Sequence, residues 1–169
     1  MKTAHFAALG AVVCSIGLAL VARGDAPPEQ YSIFQSQTPT IRDTKSLLEW
    51  ERFPEDNRLA GDAGSDGGMW APRQTFSNAH IRCEKLAGGW RLPTVKELLT
   101  LVDENPHQVY VDGSTPNLFV DRNAFPTTLP EPYWTSSPQS GSLSWTVDFG
   151  SGQPQPINPS LTLLNRCVR

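Results

Sequence analysis

Carboxylates, serine hydroxyls, thiols and indoles are the groups in this chain that could do chemistry, and their spacing decides which kind. Glu49/Glu51 and Glu55/Asp56 are paired acids. General acid–base work needs two carboxylates whose surroundings push their pKa values apart. The first pair falls on strand material and the second on a loop, with nothing nearby in sequence to raise either pKa. Ser136 and Ser137 would need a histidine base, and His5, His80 and His107 are scattered. Asp62–Gly67 opens like a calcium loop, but Gly64 stands at the third ligand position and Arg73 at the twelfth, where a bidentate glutamate belongs. It reads as a solvated loop. No catalytic residue, metal or cofactor is expected.

The three cysteines divide by position. Lys2 precedes an apolar run from Phe6 to Ala22 and the Ala22-Arg23-Gly24 cleavage signal, so residues 1–24 read as a secretory signal peptide that carries Cys14 away. The run is at the short limit for crossing a bilayer, which favours cleavage near Gly24 over stable membrane insertion. The expected location is secreted, periplasmic or cell-surface. Cys83 and Cys167 remain in an oxidising compartment, where a lone pair of thiols tends to join, and a disulfide is expected. A zinc site is the alternative, but CxxC spacing is missing.

Indoles and phenols are the remaining candidates. Trp70, Tyr133 and Trp134 sit beside loop sequence, where an aromatic ring can stack on a sugar or anchor a protein. Trp50, Trp90 and Trp145 stand at positions expected to be core. Arg91, left over between Trp90 and Leu92, either braces its turn through carbonyls or a carboxylate such as Asp103, or contacts a ligand together with Ser136.

The elements that must hold these groups follow from the pattern. The chain has 169 residues and a formal charge of −3, and loss of Lys2 and Arg23 with the leader makes it −5. One domain of about 145 residues is enough for a single core. An acidic surface gives neither a nucleic acid nor an anionic membrane a footprint. Residues 25–39 read as a flexible leader, with one edge strand at most, where only Tyr31, Ile33 and Phe34 offer anything to bury, and 40–169 as the folded domain.

Thr40–Arg52 has turn residues Asp43–Ser46 between apolar stretches, a hairpin. Phe76, Ala79, Cys83, Leu86 and Ala87 share one helical face, and Gly88-Gly89 ends it. After Pro93, Thr94 and Glu97 make a T-x-x-E capping box for a second helix with Leu98, Leu101 and Val102 inward. A short strand is expected at Gln108–Val111 and another at Tyr133–Ser137. Leu143–Phe149 alternates, with Leu143, Trp145, Val147 and Phe149 on the expected buried face. Leu163–Arg169 reads as the last strand.

Helices flanking a small twisted antiparallel sheet with long irregular loops make an α+β domain. The arrangement resembles the C-type lectin-like fold, in which a helix with the pattern A-x-x-x-C-x-x-L, here Ala79, Cys83 and Leu86, sends its cysteine to the final strand, here Cys167. A closer resemblance covers nearly all of the expected mature chain. "IRDTKSLLEW", "CEKLAGGWRLPTVKELLTLVD", "FPTTLPEPYWTSSP", "WTVDFGSG" and "NRCVR" are similar, in order, to the motifs of the Lcl C-terminal domain family. That family is named after a collagen-like adhesin and is otherwise of unknown function.

Formylglycine-generating enzymes share R-L-P-T-x-x-E on a related fold, but their chemistry uses cysteines beyond a structural pair, and none is spare here. What the resemblance implies is binding: the named member is an adhesin that recognises sulfated glycosaminoglycans. This chain has no collagen-like repeat and no basic groove. A non-catalytic domain that recognises a glycan or a cell-surface protein is therefore expected, with an envelope scaffold as the alternative and an enzyme of unknown reaction behind it.

Overall fold

A computed structural model describes residues 26–36, 38–54 and 73–169. The expected signal peptide, the Asp62–Gly67 loop, Glu55/Asp56 and Trp70 lie outside the described residues. In chain order the elements are β1 (Tyr31–Phe34), β2 (Thr40–Asp43), β3 (Glu49–Glu51), α1 (Phe76–Lys85), α2 (Val95–Leu99), β4 (His107–Gln108), β5 (Asn117–Leu118), β6 (Pro132–Pro138), β7 (Ser144–Asp148) and β8 (Gln153–Ile157). The α+β composition holds. The single expected sheet is instead three small antiparallel sheets, ordered β1-β2-β3, β4-β5 and β6-β7-β8.

The first sheet rests on its turn. The Asp43 carboxylate accepts the Lys45 N–H at 2.9 Å and the Ser46 hydroxyl at 2.6 Å, an Asx turn that reverses the chain between β2 and β3. Ile41 then pairs with Trp50 in register. Both are fully buried beside Leu98, Leu118, Tyr133, Phe149 and Val168 in the main core.

Helix α1 begins on Thr75, whose hydroxyl accepts the Asn78 N–H at 3.4 Å, and it buries Ala79 and Cys83. It stops at Lys85. Leu86 is already extended and only half-buried, and Ala87 is exposed, so the expected apolar face is one turn shorter. Gly88 and Gly89 take φ of +100° and +82°, a left-handed path that glycine enters without a Cβ clash.

The second helix is capped as the T-x-x-E spacing requires: Thr94 Oγ1 accepts the Glu97 N–H at 3.2 Å, and Glu97 Oε2 accepts the Thr94 N–H at 2.8 Å. The α-helix is only five residues long. Leu101 is buried beyond its end through tighter turns, Leu101 N–H to Leu98 O and Val102 N–H to Leu99 O. Thr94→Ala is expected to lower stability by about 1 kcal/mol, read from urea unfolding, because a first-turn N–H loses its acceptor. An unchanged midpoint would contradict the capping role.

The strand readings need four corrections. The short strand expected at Gln108–Val111 lies at His107–Gln108. In β7 the alternation fails, because Ser144 and Thr146 are buried while Leu143 is exposed and Trp145 half-buried. Both faces of this middle strand are covered, and Thr146 donates its hydroxyl to Gln155 O at 2.8 Å. β8, "QPQPI", has two prolines and gave no strand signal. Its place at the edge explains them, since Pro154 and Pro156 alternate and leave their missing N–H groups on one side.

The C-terminal segment is no continuous strand either. It forms single bridges from Leu163 to Gln74, Leu164 to Tyr133, and Val168 to both Trp50 and Arg91. It runs between the sheets, so no one partner offers it a full ladder. The Cys83–Cys167 disulfide fastens it to α1, with Cα atoms 5.5 Å apart across a separation of 84 residues. Closing so long a loop contributes about 4 kcal/mol in the chain-entropy view.

Candidate functional site

Tyr133 and Trp134, expected to be loop-borne ligand contacts, are neither on a loop nor accessible: each is 0 % exposed in β6. Neighbouring strand residues point to opposite faces, and β6 is covered on both. Tyr133 packs in the main core with its ring 5.1 Å from Phe149, and its hydroxyl accepts the Leu129 N–H at 3.0 Å. Burial pushes its phenol pKa up. Trp134 packs in a second cluster with Ala79, Cys83, Leu92 and Cys167, and donates Nε1–H to Gln74 O at 2.7 Å. Two adjacent aromatics in sequence are thus the mark of a strand between two cores.

Arg91 and Ser136 are also occupied. The Arg91 guanidinium grips Glu97 through two bonds of 2.8 and 2.7 Å, rather than Asp103, while its backbone exchanges both hydrogen bonds with Val168. Ser136 is half-buried, and its N–H donates to Pro93 O at 2.6 Å. Its neighbour Ser137 accepts the Val95 N–H at 2.9 Å, which satisfies another donor at the start of α2.

Arg91, then the Thr94 N–H and hydroxyl, hold the Glu97 carboxyl down at about 2 against an ordinary 4.5. A depressed carboxylate contributes stability that is complete above its unfolded pKa and disappears as pH falls through the folded one. The difference in melting temperature between the native chain and Glu97→Gln is therefore expected to shrink between pH 4.5 and 2. A difference constant over that window would contradict the pairing.

The paired acids Glu49 and Glu51 are both ion-paired. Glu49 accepts Arg169 at 3.1 and 2.9 Å and the Thr40 hydroxyl at 2.6 Å, and the Arg169 bonds lower its pKa. Glu51 is almost fully buried. It receives Arg82 at 3.0 and 2.7 Å and the Cys167 N–H at 2.8 Å. Beside it Arg166, wholly buried, donates to the Glu51 and Arg52 carbonyls and to Thr128 Oγ1, and lies 4.9 Å from the Phe125 ring centre. Sequence reasoning missed Glu51, Arg82 and Arg166 as a unit. Only "NRCVR" hinted at it, by putting a charge beside the bridging cysteine.

Two concavities stand out among the described residues. A groove of about 670 Å³ runs past Tyr31 and is lined by Asp43, Asp103, Glu104 and Asp121 with Lys45. Its carboxylates largely serve their own turns: Asp121 accepts the Ala26, Asn123 and Ala124 N–H groups, and Asp103 accepts that of Asn105. Burial, then Asp43, Asp121 and Asp103, raise the Tyr31 phenol pKa. Among the described residues no group of three or more His, Cys, Asp or Glu side chains is arranged to hold a metal ion.

A second concavity is a cleft of about 250 Å³, less polar, lined by Phe53, Leu86 and Trp90 together with Thr38, Thr40 and Glu51. Trp90, expected in the core, is half-buried at its edge, with the Arg169 guanidinium 4.8 Å from its ring centre. Pockets for drug-sized ligands span about 300–1,000 Å³, so this cleft suits a single ring.

Residues 39–169 match the family model described as the Lcl C-terminal domain. No curated protein matches the chain.

Proposed function

We propose, for a chain that belongs to the Lcl C-terminal domain family, the role of an exported, non-catalytic binding domain of C-type lectin-like topology that takes a neutral or weakly charged glycan ring between Trp90 and Phe53. The observation that carries this reading is Trp90, partly buried with Arg169 over its ring, on the lining of a cleft of single-ring size. An indole presents an apolar face to the C–H groups of a sugar, and Thr38, an exposed residue of the cleft lining, supplies a hydroxyl for its hydroxyls.

Several observations support the rest. The disulfide between α1 and the C-terminal segment fits an oxidising compartment, as the signal-like leader does. It is also the connection that a lectin-like topology makes. Against catalysis stands the state of the paired acids: Glu49 is held below its ordinary pKa, opposite to the shift a general acid working at neutral pH requires. The acidic groove and a charge of −5 without the leader disfavour sulfated polymers. Any heparin binding should be weak and lost with salt, as screening over about 8 Å leaves little attraction from a local Arg or Lys.

A glycan array probed with the mature domain, with Trp90→Ala and with added chelator tests the reading. Signal from neutral glycans should survive the chelator. It should weaken about 30-fold or more in Trp90→Ala, the loss expected of an aromatic anchor worth at least about 2 kcal/mol. Calcium dependence, or full binding by a folded Trp90→Ala, would sink this site, and silence across the array would favour a protein partner.

A further inference from the structure

Trp90 is reached through Gly88 and Gly89, whose φ values of +100° and +82° lead the chain out of α1, and its indole packs at the edge of the second core cluster. A bracket reaches it from the C-terminal segment. The Arg169 guanidinium stands 4.8 Å from the ring centre and grips Glu49 through Nε at 3.1 Å and Nη2 at 2.9 Å. The backbones of Arg169 and Glu49 exchange both of their hydrogen bonds, each 2.9 Å, so the bracket has a fixed base. Gly88 makes room for it. A Cβ there would lie 2.7 Å from Arg169 Nη1, whereas one at Gly89 would meet nothing within 4 Å.

The Glu49 carboxylate also accepts the Thr40 hydroxyl at 2.6 Å, and Thr40 lines the cleft together with Trp90. One carboxylate thus ties two residues of the lining to each other. Neither Glu49 nor Arg169 is itself among the described residues that line the cleft, so the pair braces it without occupying the ligand's place. A guanidinium is attracted to the electron-rich face of an indole, and one held in a two-bond fork fixes the ring at an angle that a mobile cation could not.

We infer that Glu49 and Arg169 are positioning residues of the cleft, which set the Trp90 indole before a ligand arrives and make binding depend on the ionisation of Glu49. The inference rests on Trp90 as the contact proposed above, and adds how that contact is prepared and regulated. Ordering a side chain on binding subtracts from affinity, and an indole already held escapes that loss. The charged groups that face Glu49 are Arg169 from the C-terminal segment and Arg42 from β2, while Glu51, two residues along β3, is engaged with Arg82. The Arg169 bonds, then the Arg42 charge at longer range, hold the Glu49 carboxyl below its ordinary 4.5. The bracket is therefore complete at neutral pH and is lost as pH falls through that lowered value.

The test reads the Trp90 indole nitrogen–proton signal in the unliganded mature chain, with the buried Trp134 signal as the report of an intact fold. Arg169→Gln, Glu49→Gln and Gly88→Ala should each move the Trp90 signal. Gly89→Ala, which places a side chain at a similar positive φ without reaching Arg169, should leave it in place. On acidification the native Trp90 signal should titrate with a midpoint below 4.5, and in Glu49→Gln that step should vanish. Affinity for the strongest neutral glycan of the array should fall about two- to fivefold in the first three variants, the worth of a partly exposed cation–π contact. A Trp90 signal unmoved by Arg169→Gln, or moved equally by the two glycine substitutions, overturns the inference. Full-strength binding by Arg169→Gln alongside lost binding by Trp90→Ala also overturns it and leaves the cleft standing. Silence across the array removes the glycan reading instead, and the unliganded signals then decide whether the pair sets the indole.

Discussion

Replacing Glu51 by alanine lowers the unfolding free energy by about 3–5 kcal/mol, the range for breaking a buried ion pair from one side. The size follows from what the carboxylate holds. Arg82 loses both of its bonds to Glu51, the Cys167 N–H loses its acceptor, and Arg166, which repels Arg82, loses the attraction of the Glu51 charge. The Arg166 pKa is already pulled down by burial, so its environment has little capacity for further uncompensated charge. Urea unfolding of the oxidised protein measures the effect. A loss below about 1 kcal/mol, the ceiling for most exposed pairs, would mean that the cluster is solvated. Replacing Glu49, whose Arg169 partner is 37 % exposed, should fall in that smaller range and serves as the comparison.

Trp134→Ala is expected to cost about 3–5 kcal/mol as well, by a different route. Its indole is enclosed by the second core cluster, meets the Phe76 ring edge-on at 5.7 Å between ring centres, and supplies one of the two donors to Gln74 O, the other being the Leu163 N–H. Whatever fraction of the variant folds should bind ligand as the native protein does, because Trp134 presents no surface. Thermal unfolding and binding measured on the same sample separate the two effects. Near-native stability combined with lost binding would return Trp134 to the ligand site.

Trp134 also shows where sequence legibility stops. The hairpin at Asp43, the Thr94 cap and the disulfide could be read because each depends on residues close in sequence or on a unique pair of thiols. Strand β6 could be found but not its burial, since exposure depends on what long-range packing lays over each face. The same limit hid the covering of both faces of β7, and it hid β8, whose prolines are acceptable only because β7 lies on one side alone. Arg91 and Glu97 were each visible as structural residues, yet their pairing with each other needed the turn's geometry. The Glu51–Arg82–Arg166 cluster was illegible for the strongest reason. Its members come from β3, α1 and the C-terminus, and charged residues are seldom buried, so the prior placed all three at the surface.

The central claim, that binding occurs at Trp90 and not at the aromatics of β6, is most directly tested by indole nitrogen–proton NMR. The five tryptophans give separate side-chain signals that substitution of each in turn can assign. On titration with short neutral oligosaccharides that score on the array, the Trp90 signal should shift progressively with saturation, while those of Trp50 and Trp134 stay in place. A static Trp90 signal under saturating ligand, with shifts confined to Trp70 or Trp145, would contradict the assignment of the cleft.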